Sequence, residues 1–600
     1  MPEYTAPQRE MKFVLNEVLG LQAHYQQIPG YEEATADVVD AILEEGAKFS
    51  ERVIAPLNQS GDQQGCTFDN GVVTAPDGFK EAYQQFVDAG WPSLPHKEAY
   101  GGQGLPESLG IVMNDMLGTA NWAWSMYPGL SHGAMATLDQ HGTDDQKSTY
   151  LTKLISGQWT GTMCLTESHC GTDLGMLRTR AEENDDGSYS LTGTKIFISA
   201  GEHDLAENIV HIVIARLPGA PEGTKGISLF IVPKFLPDAD GNKGERNGVN
   251  CGSIEHKMGI HGNATCVINF DGAKGYLIGP PNRGLHCMFT FMNAARIGVA
   301  LQGIAHAELG FQASLAYAKD RLQMRSLSGD KNPDGPADPI IVHPEVRKML
   351  LTQKSIAEGG RALCYHVAML SDKASHAADE KERAEADTML ALLTPIAKAF
   401  LTELGLESAN HGLQIFGGHG YIAEWGMEQN VRDSRIGTIY EGTTQIQALD
   451  LLGRKVLMTR GESLRKFTKE IHLFCKAEGA NKGMKEFIKP LMEVNKEWGD
   501  ITLKIGMKAM KNKDEVGAAS VDYLMYSGYV TLAYLWARMA KTALESLAEG
   551  TDEEGFYNAK VTTARFYFER MLPRTRALVP TMTSGASNLM DLDAEMFSFN

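Results

Sequence analysis

One carboxylate stands out by its position in the chain. Glu441 lies in the segment GTIYEGTTQIQALDLLGRKVL, beside a glycine and two threonines, where an apolar stretch gives way to a helical pattern. An acid near a helix start can simply interact with free backbone N–H groups and the positive end of the helix dipole. It can also act as a base that faces a ligand, because burial raises the proton affinity of a carboxylate. Glu441 by itself leaves both interpretations open.

Cys164, His169 and Cys170 form a second group of reactive side chains. They are close in sequence, but no further cluster completes the four-ligand set of a typical metal site. None of the eight cysteines belongs to a CxxC pair. We therefore expect free thiols in a reducing compartment and no bound metal.

The bulk composition limits the possible classes of protein. A chain of 600 residues exceeds what one hydrophobic core supports, so several domains are expected. The net charge of -19 argues against a nucleic-acid partner, which would need a basic surface. We predict no transmembrane segment. The first residues, MPEYTAPQREMKFVLNEVLG, have neither a signal-peptide nor a transit-peptide pattern, so the cytoplasm is the expected location.

The elements that must position Glu441 change character along the chain. Residues 1–37 are predicted to form an arm with one short helix, whose apolar face (Phe13, Val14 and Val18) would dock on a neighbouring surface. The region 38–160 has a helical pattern interrupted by Gly/Pro-rich loops. From residue 161 short β-branched runs follow, among them NIVHIVIARL and GISLFIVPKF, and they predict a β-domain. No room is left between these runs for the helices of parallel βαβ units.

Helical periodicity returns after residue 281. The segment LTPIAKAFLTELGLESANHGLQ places Ile396, Phe400, Leu404 and Leu406 on one stripe, and FGGHGY is predicted to end that helix. Residues 461–600 are also predicted to be helical. They carry 19 basic and 19 acidic side chains, so the negative charge of the protein lies upstream of them.

Four stretches resemble the acyl-CoA dehydrogenase family. MCLTESHCGTDLGMLRTRA resembles its flavin and substrate loop, TEPxxGSD, and GTKIFISAG resembles the second flavin strand. HKMGIHGNATCVINFDG resembles the following barrel strands, and QIFGGHGYIAEWGMEQNVRDSRIGTIYEGTTQIQ resembles the late helices that carry the base. The resemblance spans roughly residues 38–460. The arm and the C-terminal extension resemble the long subfamily, which includes 3-methylmercaptopropionyl-CoA dehydrogenase and large bacterial fatty acyl-CoA dehydrogenases.

The resemblance implies an α+β multidomain fold. An N-terminal helical domain, a middle β-barrel domain and a C-terminal helical bundle would be followed by an extra helical extension. The implied regions are an arm at 1–37, helices at 38–160, the β-domain at 161–281, the helical domain with the base at 282–460, and the extension at 461–600.

The activity implied by the resemblance is FAD-dependent desaturation of an acyl-CoA thioester to the trans-2-enoyl-CoA. Glu441 would remove the α-proton, and the β-hydrogen would pass to flavin N5 as hydride. Some relatives carry the base on an earlier helix, just before the arginine that matches Arg296. That position is Ala295 in this sequence and cannot accept a proton, so Glu441 is the only candidate.

The resemblance also assigns binding residues. Those for FAD are Met163, Leu165, Thr166, Thr172, Phe197, Ile198, Ser199, Arg321, Gln323, Gln414, Phe416, Gly417, Gly418, Thr443, Thr444 and Gln445. Of these, Arg321, Gln414, Phe416, Gly417 and Gly418 would reach the FAD of a neighbouring subunit. Those for the substrate are Thr172, Asn293, Arg296 and Gly442. Three positions depart from the family pattern: Ser168 replaces a proline, Thr172 replaces a serine, and Phe197 stands where many relatives have tryptophan.

Partners and substrate follow from the same resemblance. We expect a homodimer or a dimer of dimers that passes electrons to an electron-transfer flavoprotein and takes part in fatty acid β-oxidation. A medium or long acyl chain is favoured, with 3-methylmercaptopropionyl-CoA as an alternative. An acyl-CoA oxidase that uses oxygen, or a DNA-binding flavoprotein of the same fold, would share the motifs. The segment NWAWSMYPGLSHGAM is expected to line the acyl pocket, which Trp122 and Trp124 would plug or frame.

Overall fold

The computed structural model describes residues 4–599, and helices are the main elements within them. Contacts divide the chain into a helical unit (residues 7–32 and 299–599) and a mixed unit (residues 4–6 and 33–298). The α-helices are α1 Gln8–Lys12, α2 Leu21–Gln26, α3 Ala36–Phe49, α4 Leu57–Gln64, α5 Phe79–Asp88, α6 Glu107–Ala120, α7 Trp122–His141, α8 Asp144–Gln146, α9 Thr152–Ile155, α10 Gly284–Asp320, α11 Pro344–His376, α12 Glu380–Phe416, α13 Met427–Arg435, α14 Thr444–Leu449, α15 Glu462–Glu478, α16 Lys485–Ala509, α17 Asp514–Glu549, α18 Glu554–Phe566, α19 Thr575–Thr583 and α20 Ser587–Met590.

The strands of the mixed unit form a largely antiparallel sheet that closes on itself. They are β1 Thr67–Asp69, β2 Val72–Thr74, β3 Trp159–Cys164, β4 Arg180–Glu183, β5 Tyr189–Ser199, β6 Asn208–Arg216, β7 Ile227–Pro233, β8 Phe235–Pro237, β9 Lys243–Arg246, β10 Val249–Ile254 and β11 Thr265–Ile278. Strand β11 pairs with β5, β5 with β4, β4 with β6, β6 with β7, and β7 with β11 again. The expected β-barrel is therefore confirmed. Strand β3 adds to β6 in parallel, and β10 adds to β11.

Alternation along β6 explains why both of its faces are buried. Val210, Ile212 and Ile214 pack into one apolar cluster together with helix residues such as Leu138. Val213 and its neighbours on the opposite face fill the inside of the barrel. Successive side chains of a strand point to opposite faces, so the stretch IVHIVIA, which is apolar at every position except His211, fits a strand that is covered on both sides.

The helical part of the mixed unit includes a feature that the sequence reading missed. Strands β1 and β2 form a two-stranded hairpin across Asn70 and Gly71, both of which have positive φ. The pair Asn-Gly is a standard signal for such a turn. The three-residue strands were too short to stand out from a helical pattern.

In the helical unit, α12 is the central helix. Ile396, Phe400 and Leu404 are buried along it, and the helix ends at Phe416, as predicted. The helical segment Glu380–Tyr421, which starts with α12, is by length and composition apolar enough to cross a membrane. However, 78% of its apolar window is buried inside the protein, as in the core helix of a folded domain.

The C-terminal extension packs into this helical unit. Helix α17 lies against α11, α12 and α14. Its Gly528 contacts the Phe400 ring so closely that an added Cβ would lie 2.2 Å from a ring carbon. The arm joins the same unit: Phe13 is fully buried and packs edge-on against Phe556 and Tyr557 of α18. The predicted docking face is correct, but the arm contains two α-helices, α1 and α2, instead of one.

Candidate active site

The predicted flavin loop begins where β3 ends. Within it, the backbone N–H of Ile196 donates to the carbonyl of Thr166 at 2.9 Å, which aligns the loop with β5. Lys195 Nζ, on β5, donates to the carbonyl of Leu165 at 3.0 Å and to Glu167 Oε1 at 2.9 Å. The two sequence motifs TES and GTKIFIS are thus held together by one buried lysine.

Glu167 anchors the far end of this loop. Its carboxylate accepts hydrogen bonds from the backbone N–H groups of Arg178 and Thr179, from the Thr179 hydroxyl and from Lys195. Burial alone would raise the pKa of Glu167. The Lys195 ammonium and these hydrogen bonds outweigh burial and lower that pKa to about 2. Burial has the opposite effect on the partner and lowers the pKa of Lys195, but the pair is ionised at neutral pH because each charge has its counterion within 2.9 Å.

Phe197 is turned outward by a β-bulge. Opposite it, β11 advances by two residues, from Cys266 to Ile268, while β5 needs three, from Ile198 to Lys195. Phe197 has φ +59° and its side chain is 59% exposed. Bulges re-aim side chains next to active sites. An exposed aromatic ring beside the TES loop is suited to contact a flat ring system.

The other predicted contacts of the mixed unit differ in exposure. Met163, Leu165, Thr166 and Ser199 are half-buried, whereas Thr172 is exposed. Ile198 is only 2% exposed and belongs to the barrel core, so its side chain does not face solvent. On α10, Asn293 is exposed and accepts a hydrogen bond from Arg296 Nη1 at 3.3 Å.

Glu167, His169 and Cys170 could together hold a metal ion by distance, since their ligand atoms lie within 4.8 Å of one another. Cys164, the third residue of the predicted group, is not among them. Burial raises the pKa of the Cys170 thiol, and Lys195 already neutralises Glu167. Metal binding needs a thiolate and an available carboxylate. We therefore assign no metal to this group.

The turn that carries Glu441 belongs to the helical unit. Helix α14 begins at Thr444 and its N-cap is Thr443, whose hydroxyl accepts from the backbone N–H of Ile446 at 3.3 Å. Glu441 lies before this cap, in a bend with φ +56°, and Gly442 follows with φ +90°. Glu441 is therefore neither the N-cap nor a first-turn residue of α14. A non-glycine residue in the left-handed region is strained, and such strain clusters at functional sites.

Side chains from two helices hold this turn. Gln447 Nε2 donates to the carbonyl of Glu441 at 2.9 Å, and Lys398 Nζ donates to the carbonyls of Gly437 and Gly442 at 2.8 and 2.7 Å. The Thr444 hydroxyl donates to Glu403 Oε1 at 2.5 Å. The sequence reading missed Lys398, Glu403 and Gln447, because nothing local marks them as partners of the turn.

The residues expected to reach a neighbouring subunit lie in the loop after α10 and where α12 passes into the loop that follows it. Arg321 lies one residue beyond the end of α10, and it is exposed. Among residues 4–599 its guanidinium has no hydrogen-bond or ion-pair partner. The backbone of this loop is fixed by Asp338, whose carboxylate accepts from the N–H groups of Ser326, Lys331 and Asn332.

The second loop follows α12. Gln414, Gly417 and Gly418 are exposed, and no atom lies within 4 Å of a Cβ placed on either glycine. Phe416 is only 3% exposed and stacks on Tyr317 with ring centroids 4.1 Å apart. The buried Phe416 ring thus anchors the start of the loop, while the backbone of Gly417 and Gly418 is accessible to a ligand. Gln323, Thr443 and Gln445 are at least partly exposed.

Helix α7, expected to line an acyl pocket, contributes Pro128, Ser131, His132 and Met135 to a cavity of about 50 Å³ within the mixed unit. The cavity contains none of the predicted site residues. Trp124 is fully buried, and its Nε1 donates to the carbonyl of Phe79 at 3.1 Å, so it belongs to the core. Trp122 is half-buried and packs beside Gly118.

The residues that the sequence predicts to bind FAD have the chemistry that this cofactor requires. The mixed unit offers an exposed aromatic ring on a bulge beside backbone and hydroxyl groups, which suits an isoalloxazine ring. The helical unit offers an unpaired arginine and an open glycine backbone, which suit a pyrophosphate. The residues of each unit thus have the chemistry needed to bind the part of FAD that they are predicted to contact.

The barrel and the helical bundle agree with the fold of a flavin-dependent dehydrogenase, and the family models show this class. Residues 37–158 match the family model described as "Acyl-CoA dehydrogenase, N-terminal domain". Residues 162–273 match the model of the middle domain, and residues 282–457 match that of the C-terminal domain. Residues 467–593 match a further model, described as "Acetyl-CoA dehydrogenase C-terminal like". The chain belongs to the acyl-CoA dehydrogenase family, whose members are FAD-dependent enzymes. The resemblance read from the sequence is confirmed.

Full-length relatives support this assignment. The chain is 42% identical to 3-methylmercaptopropionyl-CoA dehydrogenase of Ruegeria pomeroyi over 98% of its length and 99% of the relative's. It is 34% identical to the broad-specificity linear acyl-CoA dehydrogenase FadE5 of Mycobacterium tuberculosis over the whole of both chains. The solved structure of Caenorhabditis elegans ACDH-11 in complex with C11-CoA matches with a TM-score of 0.76 at 18% identity, covering 98% of this chain and 96% of that one. This last likeness shows the fold, including the C-terminal extension.

Proposed function

We propose that this enzyme removes two hydrogen atoms from Cα and Cβ of an acyl-CoA thioester, with Glu441 as the base that takes the α-proton. The observation that carries the proposal is the geometry of the turn. Glu441 lies outside the helix cap in a strained left-handed conformation, and two buried side chains bind the surrounding carbonyls. A surface carboxylate would need no such support.

The residues around Glu441 have defined tasks in this mechanism. Gly442, with φ +90°, lets the backbone approach a thioester closely, since it has no side chain to interfere. The Glu441 N–H would donate to the thioester carbonyl oxygen as negative charge develops there. Ala295 cannot take a proton, which leaves the α-proton to Glu441. When bound, FAD supplies the acceptor for the β-hydride.

The chain offers residues to hold FAD in both units. The Thr166 and Ser199 hydroxyls and the Phe197 ring would contact the isoalloxazine. Arg321 and the Gly417–Gly418 backbone would bind the pyrophosphate of a partner subunit's FAD. The exposed apolar side chains close in sequence to these residues support a homodimer: Met324 is 77%, Leu327 100% and Tyr421 80% exposed.

Two acyl groups are candidates for the substrate. The similarity to 3-methylmercaptopropionyl-CoA dehydrogenase over the full length favours a short thioether chain. The similarity to FadE5 favours linear fatty acyl chains, as does the sequence-based expectation of medium or long chains. We propose the thioether substrate first, because 42% identity exceeds 34% over a comparable length.

The proposal is tested by anaerobic mixing of the FAD-loaded enzyme with a panel of acyl-CoA esters. The panel runs from butyryl- to palmitoyl-CoA and includes 3-methylmercaptopropionyl-CoA. We expect flavin bleaching and an enoyl-CoA product two hydrogen atoms lighter than the substrate, fastest with the thioether. Bleaching that is faster with a long linear chain would replace the thioether by the fatty acyl candidate. No bleaching with any ester would contradict the proposed reaction.

The electron acceptor separates a dehydrogenase from an oxidase. We propose electron-transfer flavoprotein as the acceptor. Reoxidation by this partner without peroxide is the expected result, and one peroxide per turnover in air would identify an oxidase. A cytoplasmic location stays a prediction.

A further inference from the structure

Lys398 is a buried lysine directly beneath the turn that carries Glu441. It lies in α12, and the residue is 0% exposed. Its Nζ donates to the carbonyl of Gly437 at 2.8 Å and to that of Gly442 at 2.7 Å. A buried ammonium is costly unless it is well hydrogen-bonded, so these contacts are strongly maintained. One side chain thereby joins two carbonyls on either side of Glu441.

The backbone of the turn contains two consecutive residues with positive φ. Glu441 has φ +56°, which a residue with a Cβ rarely adopts, and Gly442 has φ +90°. A Cβ on Gly442 would lie 2.5 Å from Gln447 Nε2, so the turn and α14 already touch. A strained conformation persists only where the surroundings over-determine it. Lys398 supplies two of the hydrogen bonds that do so.

We propose that Lys398 is a positioning residue that fixes the turn 437–442 and so directs the Glu441 carboxylate toward the substrate α-carbon. This inference rests on the proposed function, because it assumes that Glu441 is the base. Lys398 itself touches neither substrate nor cofactor in this account. Its effect is on geometry: a misplacement of about 1 Å in a reacting group can cost on the order of 10²-fold in rate.

The test uses full-length, FAD-loaded protein with Lys398→Met, which keeps an unbranched side chain one atom shorter and removes the N–H donors. The matched control is Lys560→Met, since Lys560 is also a deeply buried lysine of the helical unit and pairs with Glu10 and Glu358. Three quantities are measured. They are the limiting rate of anaerobic flavin bleaching, the acyl-CoA concentration for half-maximal rate, and hydrogen–deuterium exchange of peptides that cover residues 436–447.

The expected result is a lower limiting rate with little change in acyl-CoA binding. Lys398→Met should lower the limiting rate by on the order of 10²-fold. The half-saturating concentration should change little, because only the turn is misplaced. Exchange in 436–447 should become at least about tenfold faster, because two hydrogen bonds of the turn are lost. Lys560→Met should leave rate and local exchange unchanged. Lys398→Gln, with one shorter donor, should fall between wild type and Lys398→Met and gives a second measurement if the methionine variant folds poorly.

Two results would overturn the inference. The first is a wild-type limiting rate and wild-type exchange in both Lys398 variants. The second is an equal loss in Lys560→Met, which would assign the effect to general destabilisation. The variant Glu441→Gln is measured in parallel, so that failure of the Lys398 proposal can be distinguished from failure of the proposed function. If Glu441→Gln is inactive and the Lys398 variants are normal, only the role of Lys398 fails. If Glu441→Gln bleaches at the wild-type rate, the proposed function itself fails.

Discussion

The buried pair Glu167–Lys195 makes an asymmetric prediction for substitution of its two members. Glu167→Gln leaves the Lys195 ammonium buried, with the carbonyl of Leu165 as its remaining strong acceptor. An uncompensated buried charge costs about 3–5 kcal/mol. Lys195→Met leaves the Glu167 carboxylate with three donors, namely the Arg178 N–H and the N–H and hydroxyl of Thr179. The lysine variant should therefore be the milder of the two.

The magnitude for Lys195→Met follows from the pKa of Glu167. The difference between about 2 in the folded protein and the ordinary value of 4.5 corresponds to about 3 kcal/mol of stabilisation of the carboxylate. Because Lys195 shares this effect with three hydrogen bonds, its loss should cost about 1–3 kcal/mol. A lowered pKa stabilises the folded state fully above pH 4.5, and this contribution disappears as the pH falls toward 2. Acid unfolding of Lys195→Met should consequently begin at higher pH than in wild type.

The assay is thermal unfolding followed by tryptophan fluorescence, together with flavin content after gel filtration. For a unit of this size about 1 kcal/mol shifts the midpoint by roughly 2–4 °C, so Glu167→Gln should lower Tm by roughly 6–20 °C. The double variant Glu167→Gln/Lys195→Met should be more stable than the sum of the single effects predicts, because it leaves no buried charge. An equal or larger loss in Lys195→Met than in Glu167→Gln would refute this reasoning.

Three further changes test other parts of the structure. Arg321→Ala should lower FAD retention after gel filtration without changing the Tm of the flavin-free protein, because its exposed guanidinium has no hydrogen-bond or ion-pair partner in the part of the chain described; unchanged flavin content would remove it from the cofactor site. Asp338→Asn should weaken the hydrogen bonds that fix the backbone of the same loop, so FAD retention should fall and the loop should be cleaved faster by a protease. A loop that is cleaved no faster than in wild type would contradict this. Phe13→Ala should cost the helical unit about 3–5 kcal/mol, because it opens a cavity beside Phe556, and a melting curve that matches wild type would show that the arm is dispensable.

Local patterns in the sequence predicted the elements that they determine. The apolar alternation of β6, the stripe on α12 and the change from helices to strands near residue 160 each depend on neighbours within a few positions. The hairpin at Asn70–Gly71 had a local signal too, but its strands were short. The motifs TES, GTKIFIS and YEGTT identified the family and hence the candidate base.

The supporting contacts were not predictable, because they join distant positions. Lys398 binds carbonyls 39 and 44 residues further along the chain, and in the sequence it reads as a charge within an apolar helical stripe. The same holds for Glu167, which pairs with Lys195 across 28 residues. The exposure of Phe197 depends on a register shift between two strands, which no property of β5 alone specifies. The spacing of residues can identify a motif, but only the three-dimensional structure shows which distant side chains support it.

The central claim is that Glu441 removes the α-proton, and Glu441→Gln tests it most directly. The amide preserves the size of the side chain and its contacts, so FAD and acyl-CoA should still bind and the melting curve should change little. Loss of a general base costs on the order of 10²–10⁴-fold, and here no second carboxylate takes over, because residue 295 is alanine. The measurement is the limiting rate of anaerobic flavin bleaching after mixing with acyl-CoA. A loss of at least that size with FAD fully bound is the predicted result, and bleaching at the wild-type rate would contradict the account.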